Sequence, residues 1–222
     1  MKIFNRLFSK KPQVPSLILN VDGLHHIGGQ IPPSIKIPIL ETSPMVYLGC
    51  ISKNEPEIKI IDFDLHLICP IFLDLQLPIF FDYSDPNSPQ VIKENVSTNF
   101  NQLFDDIPYN AHIQYQRLNF SFALATPNKT KIGIQKIDFI HGQIGNFREP
   151  IWIHDENWPY SPINGQKMKF LFQLGDIDDC KNEFGQDVLD KEHIDNYLHF
   201  GHGYMYVFYE PESKVIAYLN QL

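Results

Sequence analysis

The chain has 222 residues, of which 43% are hydrophobic and 20% are charged, and its formal net charge is −8. A chain of this length forms one large domain or two small ones, and its hydrophobic content supports a packed core and excludes global disorder. The acidic balance disfavours nucleic-acid binding, because proteins that follow phosphate backbones present Lys and Arg.

Residues 1–12 form a basic segment with four Lys and Arg side chains, and no acid occurs before Asp22. These charges interrupt the apolar run that a signal peptide needs. The sequence contains no stretch of about 18 apolar residues, so no transmembrane segment is predicted. Cys50, Cys69 and Cys180 are odd in number and widely spaced, which is not typical of a disulfide framework or a zinc knuckle. We therefore expect a cytoplasmic protein, with membrane-surface contact through residues 1–12 as an alternative.

Short runs of β-branched and large apolar residues, separated by Pro and Gly, predict strands along most of the chain. Apolar residues spaced by three and four predict two short helices, at 93–104 and 188–198. The predicted fold class is α+β, with strand-dominated mixed or antiparallel sheets and few short helices. The predicted strands cover 17–21, 35–40, 45–51, 58–67, 113–126, 132–140, 168–174 and 204–209.

Three features occur twice in the same order, roughly 120 residues apart. A Gly28-Gly29 turn precedes a strand that begins at Met45, and an aromatic stretch ending in Pro follows at 78–86. The second series has Gly145-Asn146, a strand from Met168, and an aromatic stretch at 206–211. We predict a single domain, 1–222, built from similar halves at about 22–90 and 139–221, with a positive-φ turn in each.

These repeated elements resemble the YwqG-like family, a bacterial family of unknown function. The resemblance implies a strand-dominated fold with two similar halves and names no reaction. Some relatives carry a Cys-Pro-x-Cys pair before the second Met strand; residues 160–166 contain no cysteine, so no metal role carries over. The matching residues are Ile27, Gly28, Gly29, Pro44, Met45, Leu48 and Ile51, then Gly145, Trp152, Asp155, Pro159, Met168, Phe170, Leu171, Gln173, Leu174, Gly201, Gly203, Tyr206, Val207, Phe208 and Pro211.

Histidines and carboxylates offer two candidates for chemistry. His193, His199 and His202 lie near several acids, and imidazole with carboxylate is a ligand set that transition metals prefer. His141, His154 and Asp155 could supply a base and the group that orients it. His25 and His26 are adjacent in a predicted strand, so their side chains should point to opposite faces and not act together.

An acidic stretch and an aromatic loop predict a surface for a protein partner. Residues 176–195 hold eight acids and two lysines, and such a patch speeds encounter with a basic partner. Aromatic side chains between the second turn and the second Met strand would supply anchors. The predicted partner-binding residues are Trp152, Trp158, Tyr160, Asp176, Asp178, Asp179, Glu183 and Asp187.

Neither a nucleophile-elbow sequence nor a phosphate-binding glycine loop is present, so no catalytic residue or cofactor is predicted. We predict a non-enzymatic bacterial binding protein, an immunity-type protein that neutralises a toxin by direct binding. The alternative is an enzyme, or a small-ligand or metal-binding domain, with its site between the two halves. The sequence carries no signal for an oligomeric state.

Overall fold

The structure of the protein, a computed structural model, describes residues 12–40, 45–70, 77–92, 114–132, 135–175 and 203–222. These residues form thirteen β-strands and one 3₁₀ turn, Pro56–Ile58. The strands are β1 (Val14–Leu19), β2 (His25–Ile27), β3 (Met45–Ile51), β4 (Leu65–Pro70), β5 (Ile79–Asp82), β6 (Gln90–Val91), β7 (Leu118–Ala125), β8 (Asn128–Ile132), β9 (Gln135–Phe139), β10 (Gln143–Phe147), β11 (Lys169–Leu174), β12 (Tyr204–Glu210) and β13 (Val215–Gln221).

The predicted α+β class is wrong, because the described residues are essentially all-β and their helical content is limited to the single 3₁₀ turn. The helices predicted at 93–104 and 188–198 lie outside the described residues. Antiparallel pairing satisfies the backbone of short, Pro-punctuated apolar runs without any helix. In the described part of the chain, no helix has the length and hydropathy required to cross a bilayer.

The strand predicted at 58–67 is also wrong, because this segment leaves the 3₁₀ turn and enters β4 only at Leu65. The Glu55 carboxylate caps the turn by accepting the N–H of Glu57 at 3.0 Å. Farther on, the Asp64 carboxylate accepts the N–H of Lys53 at 3.0 Å. Such local side-chain bonds offer the backbone an alternative to a strand ladder, and they override the apolar alternation.

Residues 35–40 form no strand, and Pro38 removes a donor there. Conversely, β10 and β13 occur where no strand was predicted. β10 contains Gly145, which the sequence assigned to a turn; an added Cβ at this residue would overlap the carbonyl oxygen of Gln173 on β11. Glycine is therefore needed for the close approach of two strands, and the positive φ falls instead on Arg148, at 76°.

Eleven strands form one antiparallel sheet in the order β4-β3-β2-β7-β1-β10-β11-β12-β13-β5-β6, and β8 with β9 forms a separate ribbon. Two tyrosine hydroxyls reach the end strand β4. Tyr83 donates to the carbonyl of His66 at 2.7 Å, and Tyr218 of β13 accepts the N–H of Ile68 at 3.3 Å. The sheet therefore curls so that β4 contacts side chains from the other end of the strand order. These contacts cover part of the β4 edge, where an exposed backbone could pair with another chain.

The pairing registers repeat between the two halves. β3 pairs with β4 through a bulge between Tyr47 and Gly49, and β11 pairs with β12 through a bulge between Phe170 and Phe172. The same interval separates Tyr47 from Phe170 and Gly49 from Phe172. A bulge at matched positions relates β3 to β11 and β4 to β12.

The antiparallel ladder of β1 and β7 is symmetric about the pair formed by Ile18 of β1 and Ser121 of β7. On either side of it, the pairs Leu17 with Phe122 and Leu19 with Phe120 exchange places. β7 then pairs with β2, and β1 pairs with β10. The central pair β7 and β1 therefore joins β2–β4 on one side to β10–β12 on the other in one continuous sheet.

This symmetry relates the halves in a register that differs from the sequence alignment. Gly49 and Phe172 are matched by the two bulges; Ile27 pairs with Gly49, and Phe147 pairs with Phe172. Ile27 therefore corresponds to Phe147, and the next residues, Gly28 and Arg148, correspond to each other. Both have positive φ, 64° and 76°. The counterpart of β12 is β4, whereas the predicted counterpart at 78–86 contains β5, which pairs with β13.

Buried apolar side chains form a main cluster, to which both halves contribute, and a smaller one on the outer face of β12, β13 and β5. Along β12, Met205 and Val207 belong to the main cluster, whereas Tyr206 and Phe208 belong to the smaller one, as strand alternation requires. Burial of each such side chain contributes about 1.5–3 kcal/mol. The outer cluster is the base on which the candidate site is built.

Candidate functional site

Four buried polar side chains on the outer face of β10 to β13 hold the chain that follows β10. They are Asn146, Gln173, Tyr206 and Gln221, one from each of four neighbouring strands, and none is more than 5% exposed. We refer to them as the polar row. Buried polar groups need hydrogen-bond partners, and the partners here are main-chain groups within residues 149–155.

The central contacts of the polar row converge on Ile151. Gln173 Oε1 accepts the N–H of Ile151 at 2.6 Å, and Gln173 Nε2 donates to its carbonyl at 3.3 Å. The Tyr206 hydroxyl donates to the same carbonyl at 2.7 Å. Further contacts join Asn146 to the carbonyl of Glu149 (2.8 Å), and Gln221 to the N–H of Ile153 (3.1 Å), the N–H of His154 (3.3 Å) and the carbonyl of Asp155 (3.2 Å).

We expect Gln173→Met to loosen this loop while the sheet stays intact. Methionine has a similar volume but leaves the Ile151 N–H without its acceptor, which costs about 1–3 kcal/mol. Urea denaturation should show the lower stability, and amide hydrogen exchange at Ile151 and Ile153 should accelerate. Gln90→Met, at an exposed position, is the matched control. Equal exchange protection in the two variants would show that the polar row does not hold the loop.

Trp152 and Trp158 fix the same loop to the outer cluster. Trp152 stacks on Tyr206 with ring centroids 4.9 Å apart, and Trp158 meets Trp152 edge-on at 5.8 Å. Both indoles are half-buried, and the Trp158 Nε1–H donates to Glu156 at 3.2 Å. The aromatic side chains therefore fix the loop to the outer cluster by ring packing, while the polar row fixes its backbone by hydrogen bonds.

The fixed loop displays apolar side chains to solvent. Ile151 and Ile153 flank the inward-facing Trp152 and are 52% and 38% exposed. Tyr160 and Ile163 farther along are 59% and 56% exposed. We define residues 149–166 as the display loop. Several exposed apolar side chains on one rigid segment are typical of an interaction surface.

A cleft of about 670 Å³ lies beside the display loop. It lies where β1 pairs with β10, because Val14 of β1 and residues 143–146 of β10 both line it. Among the lining residues that the structure describes, the one carboxylate is Asp138, whose Oδ2 lies 3.9 Å from Lys129 Nζ. Its apolar walls include Val14, Phe139, Ile140, Ile144, Ile151 and Ile153.

The residues proposed for acid–base chemistry are not gathered. His141 is exposed in the turn before β10, and His154 is exposed with Nε2 2.7 Å from the carbonyl oxygen of Leu222. Neither lines the cleft. Within the ranges that the structure describes, no hydrogen bond joins either imidazole to the Asp155 carboxylate, and no group of three or more His, Cys, Asp or Glu side chains is arranged to hold a metal ion.

Other predicted site residues divide by location. Trp152, Trp158 and Tyr160 lie in the display loop, and their role in partner binding stays a prediction. His25 and His26 point to opposite faces of β2, as predicted: His25 is buried and His26 is half-buried. The acids Asp176, Asp178, Asp179, Glu183 and Asp187 and the histidines His193, His199 and His202 lie outside the described residues.

Sequence reasoning overlooked the polar row. The available signal is a polar residue inside an apolar strand run, such as Gln173 between Phe172 and Leu174 or Gln221 at the end of β13. A buried amide must find partners, but the sequence does not show that the partner is the main chain of residues 149–155. Comparison of the chain with protein-family models, curated proteins and solved structures finds no match.

Proposed function

We propose that this protein is a non-enzymatic, YwqG-like binding protein of the bacterial cytoplasm that neutralises a toxin by direct binding. The display loop is its docking surface. The observation that carries the proposal is a loop whose backbone is fixed by four buried side chains while its isoleucines face outward. A surface that is ordered before binding loses less entropy when the partner docks.

The cleft supports binding over catalysis. Its described lining combines isoleucine walls with a single carboxylate, Asp138, and that carboxylate faces Lys129. Nucleophilic or acid–base catalysis requires a nucleophile and a base within hydrogen-bond reach of each other. A partner side chain inserted between Ile151 and Ile144 would bury apolar area on both sides, as interface anchors do.

A photo-crosslinking residue at position 153 tests this proposal in living bacteria. We expect it to capture one protein species, which the same residue at exposed position 22 does not capture. With the captured protein purified, Ile153→Asp should weaken binding about tenfold or more, because a charge would replace a buried apolar contact.

Leu24→Asp is the matched control, since Leu24 is also exposed and apolar but lies in the turn between β1 and β2. It should bind like the unaltered protein and should still block the toxic activity of the partner. Equal weakening by both variants, or the same crosslinked species from positions 153 and 22, would contradict docking at the display loop.

A further inference from the structure

The exposed charges of the display loop all have one sign. Residues 149–166 contain three acids, Glu149, Asp155 and Glu156, and neither Lys nor Arg. All three are exposed. The apolar side chains of Ile151 and Ile153 are therefore bordered by carboxylates along the chain on both sides.

The cations that flank the loop are engaged within the protein. Arg148 donates from Nε and Nη2 to the Glu57 carboxylate at 3.1 and 3.0 Å, and this pair joins the second half to the 3₁₀ turn of the first. Lys167 Nζ lies 4.1 Å from the centre of the Trp158 ring, a cation–π contact. Neither cation cancels the charge of Glu149 or Asp155, whose side chains accept no hydrogen bond among the described contacts.

We propose that the partner presents an apolar surface bordered by Lys or Arg, which meets Glu149 and Asp155 when its apolar centre covers Ile151 and Ile153. This inference rests on the proposed function and adds the chemistry of the partner to it. The net charge of −8 acts in the same direction, because it draws a basic partner from a distance. Complementary rim charges raise the association rate and select against acidic competitors.

A second copy of this chain fits the surface poorly. Two display loops brought face to face would oppose the same three acids to one another, and the two net charges of −8 would repel. Charge complementarity therefore selects a basic protein surface as the occupant.

The only tryptophans in the chain, Trp152 and Trp158, both lie in the display loop, so intrinsic fluorescence reports on this surface. Two synthetic peptides with the same apolar centre, one flanked by lysines and the other by glutamates, are suitable probes. We expect the lysine peptide alone to change the emission, with an affinity that falls as ionic strength rises.

The double variant Glu149→Gln with Asp155→Asn should weaken binding of the lysine peptide about fivefold, since two rim carboxylates are lost. Asp22→Asn, an exposed acid in the turn between β1 and β2, is the matched control and should leave binding unchanged.

Three results would overturn the inference: equal binding of both peptides, binding that ignores salt, or no response to either peptide. The inference can fail while the proposed function stands. If Ile153→Asp abolishes binding of the captured partner while the rim variants leave it unchanged, docking at the display loop stands and the basic-partner inference falls.

Discussion

We expect Gly49→Ala to destabilise the protein by about 3 kcal/mol or more, although the substitution adds only one methyl group. Gly49 lies at the bulge of β3 and has a φ of 141°, a backbone conformation that side chains rarely adopt. An added Cβ would also overlap the carbonyl oxygen of His26 on the paired strand β2. Because both obstacles are main chain, neither can be relieved by a side-chain rotation.

Gly165→Ala separates the two causes. Gly165 also has a positive φ, 71°, but an added Cβ there would meet no atom within 4 Å. This variant should lose only the backbone term, about 1 kcal/mol. Urea denaturation of both variants measures the difference as a shift of the midpoint. Equal losses would show that the approach of β2 to β3 is looser than the structure indicates.

The second expected result is a loss of stability as the pH falls below about 6.5. His25 is 1% exposed; its Nδ1 accepts the N–H of Ser52 at 3.0 Å, and its Nε2 lies 2.8 Å from Glu55 Oε2. An Nδ1 that accepts a hydrogen bond carries no proton, so the ring is neutral and donates from Nε2 to Glu55. Burial lowers the pKa of His25, although the hydrogen bond and charge of Glu55 act in the opposite direction.

Two neighbouring histidines behave in the same way. Burial lowers the pKa of His26, and the charge of Arg117 lowers it further. Burial also lowers the pKa of His66, whose Nδ1 lies 3.1 Å from the Tyr47 hydroxyl. In each case the folded protein binds protons more weakly than the unfolded chain does below the usual pKa of 6.5. The free energy of unfolding therefore rises with pH in this interval, and it falls as the pH is lowered through it.

Urea denaturation at a series of pH values between about 7 and 5.5 measures this effect before the carboxylates begin to titrate. His25→Gln should reduce the slope of the profile, because an amide can occupy the same hydrogen bonds without gaining a charge, while His26 and His66 keep their share of the slope. Gln90→Met, at an exposed position without a titratable group, should keep the profile of the unaltered protein. If His25→Gln keeps it as well, the buried ring does not contribute to the acid sensitivity.

Prediction from the sequence succeeded where a strand is an uninterrupted apolar run. The prediction at 45–51 coincides with β3, and the predictions at 168–174 and 204–209 lie within one residue of β11 and β12. It failed at 58–67, where bonds from Glu55 and Asp64 replace the ladder. It also failed at β10. Glycine is typical of turns, and only the pairing of β10 with β1 and β11 shows that Gly145 lies within a strand.

The candidate site was accessible only in part. Trp152, Trp158 and Tyr160 were chosen as anchors because of their chemistry, and they lie in the display loop. Burial is a property of the tertiary structure, so the sequence could not show that Ile151 and Ile153 remain exposed while Trp152 turns inward. The sequence also aligned Gly28 with Gly145, whereas the strand pairing aligns Gly28 with Arg148. Glycine signals a positive φ in the sequence, and arginine does not, although both residues adopt one here.

Local patterns by themselves determined that short β-strands dominate the described part of this chain, because residue type and alternation act over a few neighbouring positions. The tertiary structure alone decided which strands pair, how β1 and β7 are exchanged about the Ile18–Ser121 pair, and that the polar row holds residues 149–155. Hydrogen bonds between residues far apart in the chain decide these features, and their partners become defined only when the sheet closes.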